Sequence, residues 1–383
     1  MMKDVFVVGN NIVSPIGLST AGNFEAIANG QSGIQLHALP AVLPVPVYAS
    51  IIGETLMQKV TEGVSNTALT KFETLLTFSI AAAMKDNMAD LQDAATILVI
   101  SSTKGNIALL ETGTAAGEET KKAIGLTSSA KKLAAYFKLA NTPIIISNAC
   151  ISGITALLTA KRLLETGQYK KAVVAGADVI SAFVVSGFQS FQAISQQPCK
   201  PFDAGRNGIN LGEAAATIVL STSATAKAVR VSGGGITNDA NHISGPSRSG
   251  QELCMAIRRA LTEASLQSAD IGFIAAHGTA TIYNDEMEAK ALSLAGLSKV
   301  PLNSLKGYYG HTLGAAGLVE SVIALQTLQQ GTMIATRGFS NSGVSAEVNV
   351  CSKTMPVNAN HCLKTASGFG GCNAAIVFSK QPD

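Results

Sequence analysis

Short unbroken apolar runs alternate along the chain with longer helical stretches. Residues 5–8, 95–100, 144–147, 172–175 and 217–220 lack the polar alternation of a half-exposed strand and predict strands buried on both faces. Residues 70–86 and 152–165 predict helices between them. Strands that alternate with helices predict an α/β sheet fold, and no linker rich in Pro, Ser or charge divides the chain. Residues 139–160 carry no charge over about 22 positions, long enough to span a bilayer. Asn141, Pro143, Ser147, Asn148 and Ser152 interrupt that stretch, so it reads as a buried strand over 143–146 that turns at Asn148 into a buried helix.

A faint internal echo joins the two halves. Residues 211–221 and 369–379 are each a glycine turn feeding an apolar strand. Each is preceded by a helix of small residues, 152–165 after Cys150 and 313–328 after His311. A half-chain duplication would bring the starts of two equivalent helices to one central site.

Composition narrows the class. The chain has 383 residues, enough for two domain-sized units or one large duplicated one. Charged residues make up 14% and hydrophobic residues 47%, which excludes disorder and favours a large core extended by an oligomer interface. A net charge of +3 with no basic run excludes a nucleic-acid footprint. Six cysteines without a CxxC pair suit free thiols in a reducing compartment. The opening MMKDVFVVGNN lacks the apolar length of a secretory signal, so a soluble, cytoplasmic protein with no membrane role is expected.

Candidate chemistry centres on Cys150. In Ser147-Asn148-Ala149-Cys150-Ile151-Ser152-Gly153 it falls where a strand ends and a helix begins. The unpaired N–H groups of a helix start favour a thiolate, so a lowered thiol pKa is expected. A free cysteine is otherwise a small buried hydrophobe, and only a matching base elsewhere distinguishes the two. His277, in Ala275-Ala276-His277-Gly278-Thr279, follows an apolar strand; His311, in Gly310-His311-Thr312-Leu313-Gly314, precedes a small-residue helix. Zinc would need a third ligand with local spacing, and no HExxH or CxxC is present.

These residues come in a telling order. Val7-Val8-Gly9 leads to Ser14-Pro15-Ile16-Gly17 and Gly30-Gln31-Ser32-Gly33-Ile34, then to the cysteine turn. Pro201-Phe202-Asp203, Arg206-Asn207-Gly208, Gly212-Glu213 and Asp239-Ala240-Asn241-His242 follow. The His277 segment with Glu288, Lys306 five residues before His311, and Gly368-Phe369-Gly370-Gly371 close the series. The chain resembles β-ketoacyl-acyl carrier protein synthases of the type I/II class, condensing enzymes of the thiolase fold, nearly end to end.

The resemblance implies two duplicated βαβαβαββ-type halves in an αβαβα layering, residues 1–222 carrying the nucleophilic cysteine and 223–383 the histidine pair and glycine-rich strand. It implies decarboxylative Claisen condensation of an acyl group on Cys150 with a malonyl group, both delivered as thioesters by an acyl carrier protein, in fatty acid or specialised polyene or polyketide synthesis. By that likeness His277 and His311 stabilise the enolate, and Lys306 with Glu288 forms a charged pair orienting the second histidine. The backbone N–H groups of Cys150 and Phe369 form an oxyanion hole. Arg206 is a candidate for carrier docking. No metal or organic cofactor is implied, and a homodimer is expected, with a heterodimer as the variant. Two departures concern the acyl pocket: Lys104 stands in Ser101-Ser102-Thr103-Lys104-Gly105-Asn106 where the family has a glycine-rich loop, and Ser367 stands where it has phenylalanine. They point to short, conjugated or polar-ended acyl groups. Thiolase, which uses a second cysteine as base, and a non-catalytic, length-setting ketosynthase-like subunit are the alternatives.

Overall fold

The structure is a computed structural model that describes residues 3–38, 45–65, 68–111, 117–224 and 228–381. The described residues build one mixed eleven-stranded sheet. Its strands are β1 (Phe6–Val13), β2 (Thr96–Ser101), β3 (Ile144–Ile146), β4 (Lys171–Asp178), β5 (Ala214–Ser221), β6 (Val229–Asn238), β7 (Phe273–Ala275), β8 (Pro301–Asn303), β9 (Asn349–Val350), β10 (His361–Gly368) and β11 (Cys372–Lys380). The helices that matter here are α1 (Lys71–Met84), α2 (Ser152–Glu165), α3 (Ala182–Ser190), α4 (Gln251–Ala264), α5 (Ile282–Leu294) and α6 (Ala316–Gln330).

Across the sheet the order is β9-β8-β7-β10-β11-β6-β1-β5-β4-β2-β3. From the middle outward, β1-β5-β4-β2-β3 and β6-β11-β10-β7-β8 repeat one connectivity. The two glycine-turn strands of the sequence echo, β5 and β11, hold equivalent places. The halves meet where β1 and β6 pair over only Phe6–Arg230 and Val7–Val229.

Alternation along the strands makes the layers. On β4, Val173 and Ala175 join the core under α1, whereas Ala172 and Val174 face the inner core. On β11, Ala375 and Val377 pack under α4 and α5, whereas Ile376 and Phe378 face inward. Both inner faces close on α2 and α6, which yields the expected αβαβα order. Small residues let those two helices touch: a Cβ on Gly153 would lie 2.9 Å from the Leu318 nitrogen, and one on Gly317 2.9 Å from the Ile154 nitrogen.

Element starts follow local chemistry. Thr70 and Glu73 form a capping box at α1. Two expectations need correction. The run at 144–147 is a half-buried edge strand paired only with β2, not one buried on both faces. The helix expected from residue 313 opens as a tight turn over Leu313–Ala315, because Leu313 has φ 50° and the Gly314 N–H is given to Asp178 at 2.7 Å. No helix of the described residues is long and apolar enough to cross a membrane.

Candidate active site

β3 ends at Ile146, and a short turn leads from it to the start of α2 at Ser152. Ala149 holds φ 44° in this turn, a left-handed conformation that costs a β-carbon residue about 1 kcal/mol or more. Ser152 pins it: its hydroxyl oxygen accepts the Asn148 N–H at 2.8 Å, and its O–H donates to the Ala149 carbonyl at 2.6 Å. Cys150 is thereby presented beneath the Gly368–Gly371 turn, so close that a Cβ on Gly368 would lie 3.0 Å from the Cys150 nitrogen.

The expected lowering of the Cys150 thiol pKa does not occur in this resting site. Burial first, then Cys372 and Asp178, push the thiol up to about 12, against Lys306 and the Phe369 N–H. The sulfur lies two residues before the first helical residue and away from solvent, so desolvation of the thiolate outweighs the helix start. All six cysteines are free and buried.

His277 follows β7, and its loop is tied to α5. Glu288 accepts the N–H groups of His277 and Gly278, both at 2.8 Å, and the Thr365 hydroxyl at 2.6 Å. His311 is fixed through its backbone, its N–H donating to the Asn210 carbonyl at 2.7 Å and its carbonyl accepting the Gly212 N–H at 3.0 Å. The two rings stand edge to face with centroids 5.3 Å apart. Both are buried, and Nδ1 of His277 and both ring nitrogens of His311 have no hydrogen-bond partner among the described residues. Burial, with the Lys306 and Lys364 cations adding, holds both imidazoles well below the usual histidine range. At neutral pH each keeps one N–H donor and one lone pair.

The expected Lys306–Glu288 pair is not formed. Lys306, fully buried, pairs with Glu320 of α6 and donates to the His277 carbonyl at 3.0 Å. Glu288 has its oxygens filled by the His277 loop and Thr365, so it orients the first histidine rather than the second.

Cys150, His277, His311, Ser367 and Phe369 line one cavity of about 360 Å³. Phe369 stacks on Phe188 of α3 at 5.4 Å and meets Phe191 edge-on at 5.3 Å, which makes an aromatic wall over the cysteine. Ser367 donates its hydroxyl to Asn373 Oδ1 at 2.8 Å. Lys104, expected in this pocket, is exposed and absent from the lining. Its loop turns backbone inward, with the Thr103 and Lys104 N–H groups on Asp178, and so sends the lysine side chain out. Arg206 is half-buried, and its guanidinium donates to the carbonyls of Asp203, Gly343 and Ile282. Among the described residues, no group of three or more His, Cys, Asp or Glu could hold a metal ion.

Sequence reasoning missed Glu320, Lys364 and the Phe188–Phe191 wall. The signals were present but quiet: Glu320 is the only charge in α6, and Lys364 the only Lys, Arg, Asp or Glu in β10.

Family models match most of the chain: the N-terminal domain of β-ketoacyl synthases matches residues 2–226, and their C-terminal domain residues 228–340. The chain belongs to the β-ketoacyl synthase family. Like this β-ketoacyl synthase, the 3-oxoacyl-[acyl-carrier-protein] synthase 2 of Vibrio harveyi spans the full length, with 28% identity over 99% of each chain. The fold is shared with a ketosynthase solved in complex with its chain length factor from Xenorhabdus doucetiae, with a TM-score of 0.85, 22% identity, and 99% and 98% of the two chains covered. The ishigamide ketosynthase/chain length factor gives a TM-score of 0.89 at 20% identity over all of both chains. The family joins acyl units by condensation, and the chain is an acyltransferase of that kind.

Proposed function

We propose that this β-ketoacyl synthase carries the acyl group on Cys150 and condenses it with a malonyl group held by an acyl carrier protein. Residues 1–222 supply the nucleophile and residues 223–383 the histidine pair. The observation that carries the reading is the cavity in which Cys150 meets two buried imidazoles with unpartnered ring nitrogens.

In the first half-reaction the Cys150 sulfur attacks the acyl thioester, and the carrier thiol leaves with the proton that Cys150 gives up. The thiol starts protonated, so a neutral imidazole is the base available to pass that proton on. The Cys150 and Phe369 N–H groups hold the oxyanion. In the second, the malonyl thioester loses CO2, and its carbonyl oxygen takes the enolate charge under hydrogen bonds from His277 and His311. The α-carbon attacks the Cys150 thioester, the C–S bond breaks, and the freed thiolate takes up a proton. The product is a 3-oxoacyl carrier thioester.

Retention of Cys150, both histidines and Lys306 favours this reading over a non-catalytic length-setting subunit. The His277–His311 pair and the spacing of Lys306 before His311 argue against thiolase, which uses a second cysteine as base. A homodimer is proposed for the active form. The test is intact-mass analysis after incubation with acetyl-, octanoyl-, hexadecanoyl- and dienoyl-carrier proteins. At least one acyl adduct should form in the wild type, map to Cys150 and vanish in Cys150→Ala. No adduct from any donor would contradict the reading.

A further inference from the structure

Behind the histidine pair lies a buried charge cluster with one lysine more than its central carboxylate requires. Lys364 of β10 is fully buried, with its Nζ 2.7 Å from Glu320 Oε2, while Lys306 pairs with Oε1 of the same carboxylate. An ammonium costs several kcal/mol to bury unpaired, and Lys306 with Glu320 alone would already be a neutral pair. Glu288 brings the cluster to two lysines and two glutamates, but its oxygens are taken by the His277 loop and Thr365, so the contacts of the Lys364 ammonium are Glu320 and the Thr365 carbonyl.

Its placement suggests what it does. Lys306 holds the His277 carbonyl, so anything that fixes Glu320 fixes Lys306 and the His277 loop. Thr365, the next residue on β10, reaches the same loop from the other side through Glu288. The charged and titratable groups gathered here are Lys364 from β10, Lys306 from the turn before His311, Glu320 from α6, Glu288 from α5, and the two imidazoles.

We propose that Lys364 is a positioning residue for the condensation, bracketing Glu320 opposite Lys306 so that the histidine loops are held and a positive field stands behind both rings. This rests on the reading of His277 and His311 as the enolate donors. Burial lowers the Lys364 pKa while Glu320 and Glu288 oppose that shift, and in its charged form Lys364 adds to Lys306 in disfavouring protonation of both rings. Neutral rings suit the reaction: an imidazolium would hold the malonyl carboxylate in its charged ground state, whereas decarboxylation must remove that charge as CO2.

The test uses the whole protein labelled with 15N-histidine and followed by NMR across pH without substrate. In the wild type the two buried imidazoles should stay neutral down to about pH 6. In Lys364→Met, or in Lys364→Gln if the first does not fold, both should begin to protonate at higher pH. Lys364→Arg, which keeps the charge, should follow the wild type. Malonyl-carrier decarboxylation by the uncharged variants should fall about tenfold further at about pH 6 than at about pH 8. Unchanged imidazole titration, or an equal loss at every pH, would leave Lys364 a mere packing residue and overturn the proposal. Wild-type rings that titrate in the ordinary histidine range would overturn it as well. If the protein decarboxylates no malonyl thioester at all, the functional reading fails, while the imidazole titration still judges Lys364 by itself.

Discussion

A thiol pushed up to about 12 is almost wholly protonated at neutral pH, so the reactivity of Cys150 must be conferred when substrate and a base arrive together. Its alkylation by iodoacetamide in the free protein should therefore rise about tenfold per pH unit from about pH 7 to about pH 10, as the thiolate fraction grows. Peptide mapping after timed alkylation reads this directly. A rate already level above neutral pH would mean that the helix start wins over burial. Cys150, His277 and His311 were legible in the sequence because each stands at an element boundary beside small residues. The carboxylate facing Lys306 was not. Glu288 follows His277 by one helical stretch and Glu320 follows His311 by another, and only the packing of α6 against the 306–309 turn decides between them. Lys104 misled for a similar reason, since residue type says nothing of which way a loop turns its side chain.

The crossing of α2 and α6 is what brings the cysteine turn to the second histidine. Gly153 sits at that crossing, where an added methyl would meet the Leu318 backbone nitrogen at 2.9 Å and the Gly314 carbonyl at 3.2 Å. Backbone cannot move aside as a flexible side chain can. Gly153→Ala should cost about 1–3 kcal/mol in denaturant unfolding, although alanine is the better helix former. Unchanged or raised stability would show that the helices can part without consequence. The helix over 70–86 was legible from its apolar pattern, and in the structure it starts at Lys71 behind the Thr70–Glu73 capping box. The tight turn at Leu313–Ala315 was not readable, because it depends on Asp178, a residue of the other half that takes the Gly314 N–H. Edge position hid β3 in the same way: burial of a strand depends on neighbours that its own residues do not name.

For the molecule as a whole, duplication is the organising fact. Two halves of one connectivity share a single inner core around α2 and α6, and each contributes the turn that leads to its central helix to one cavity. The sequence carried only the echo of 211–221 in 369–379, since each half has kept the strand order while exchanging most of its residues. That division also separates the proposed chemistry, with Cys150 in one half and both imidazoles in the other. The most direct measurement supplies acyl-carrier and carboxyl-labelled malonyl-carrier proteins and counts labelled CO2 against 3-oxoacyl product. The expected result is one CO2 per product in the wild type. In His277→Ala or His311→Ala, CO2 release should fall roughly 100- to 1000-fold while the acyl adduct on Cys150 still forms. Product without matching CO2, or CO2 release untouched by loss of either histidine, would contradict decarboxylative condensation at this site.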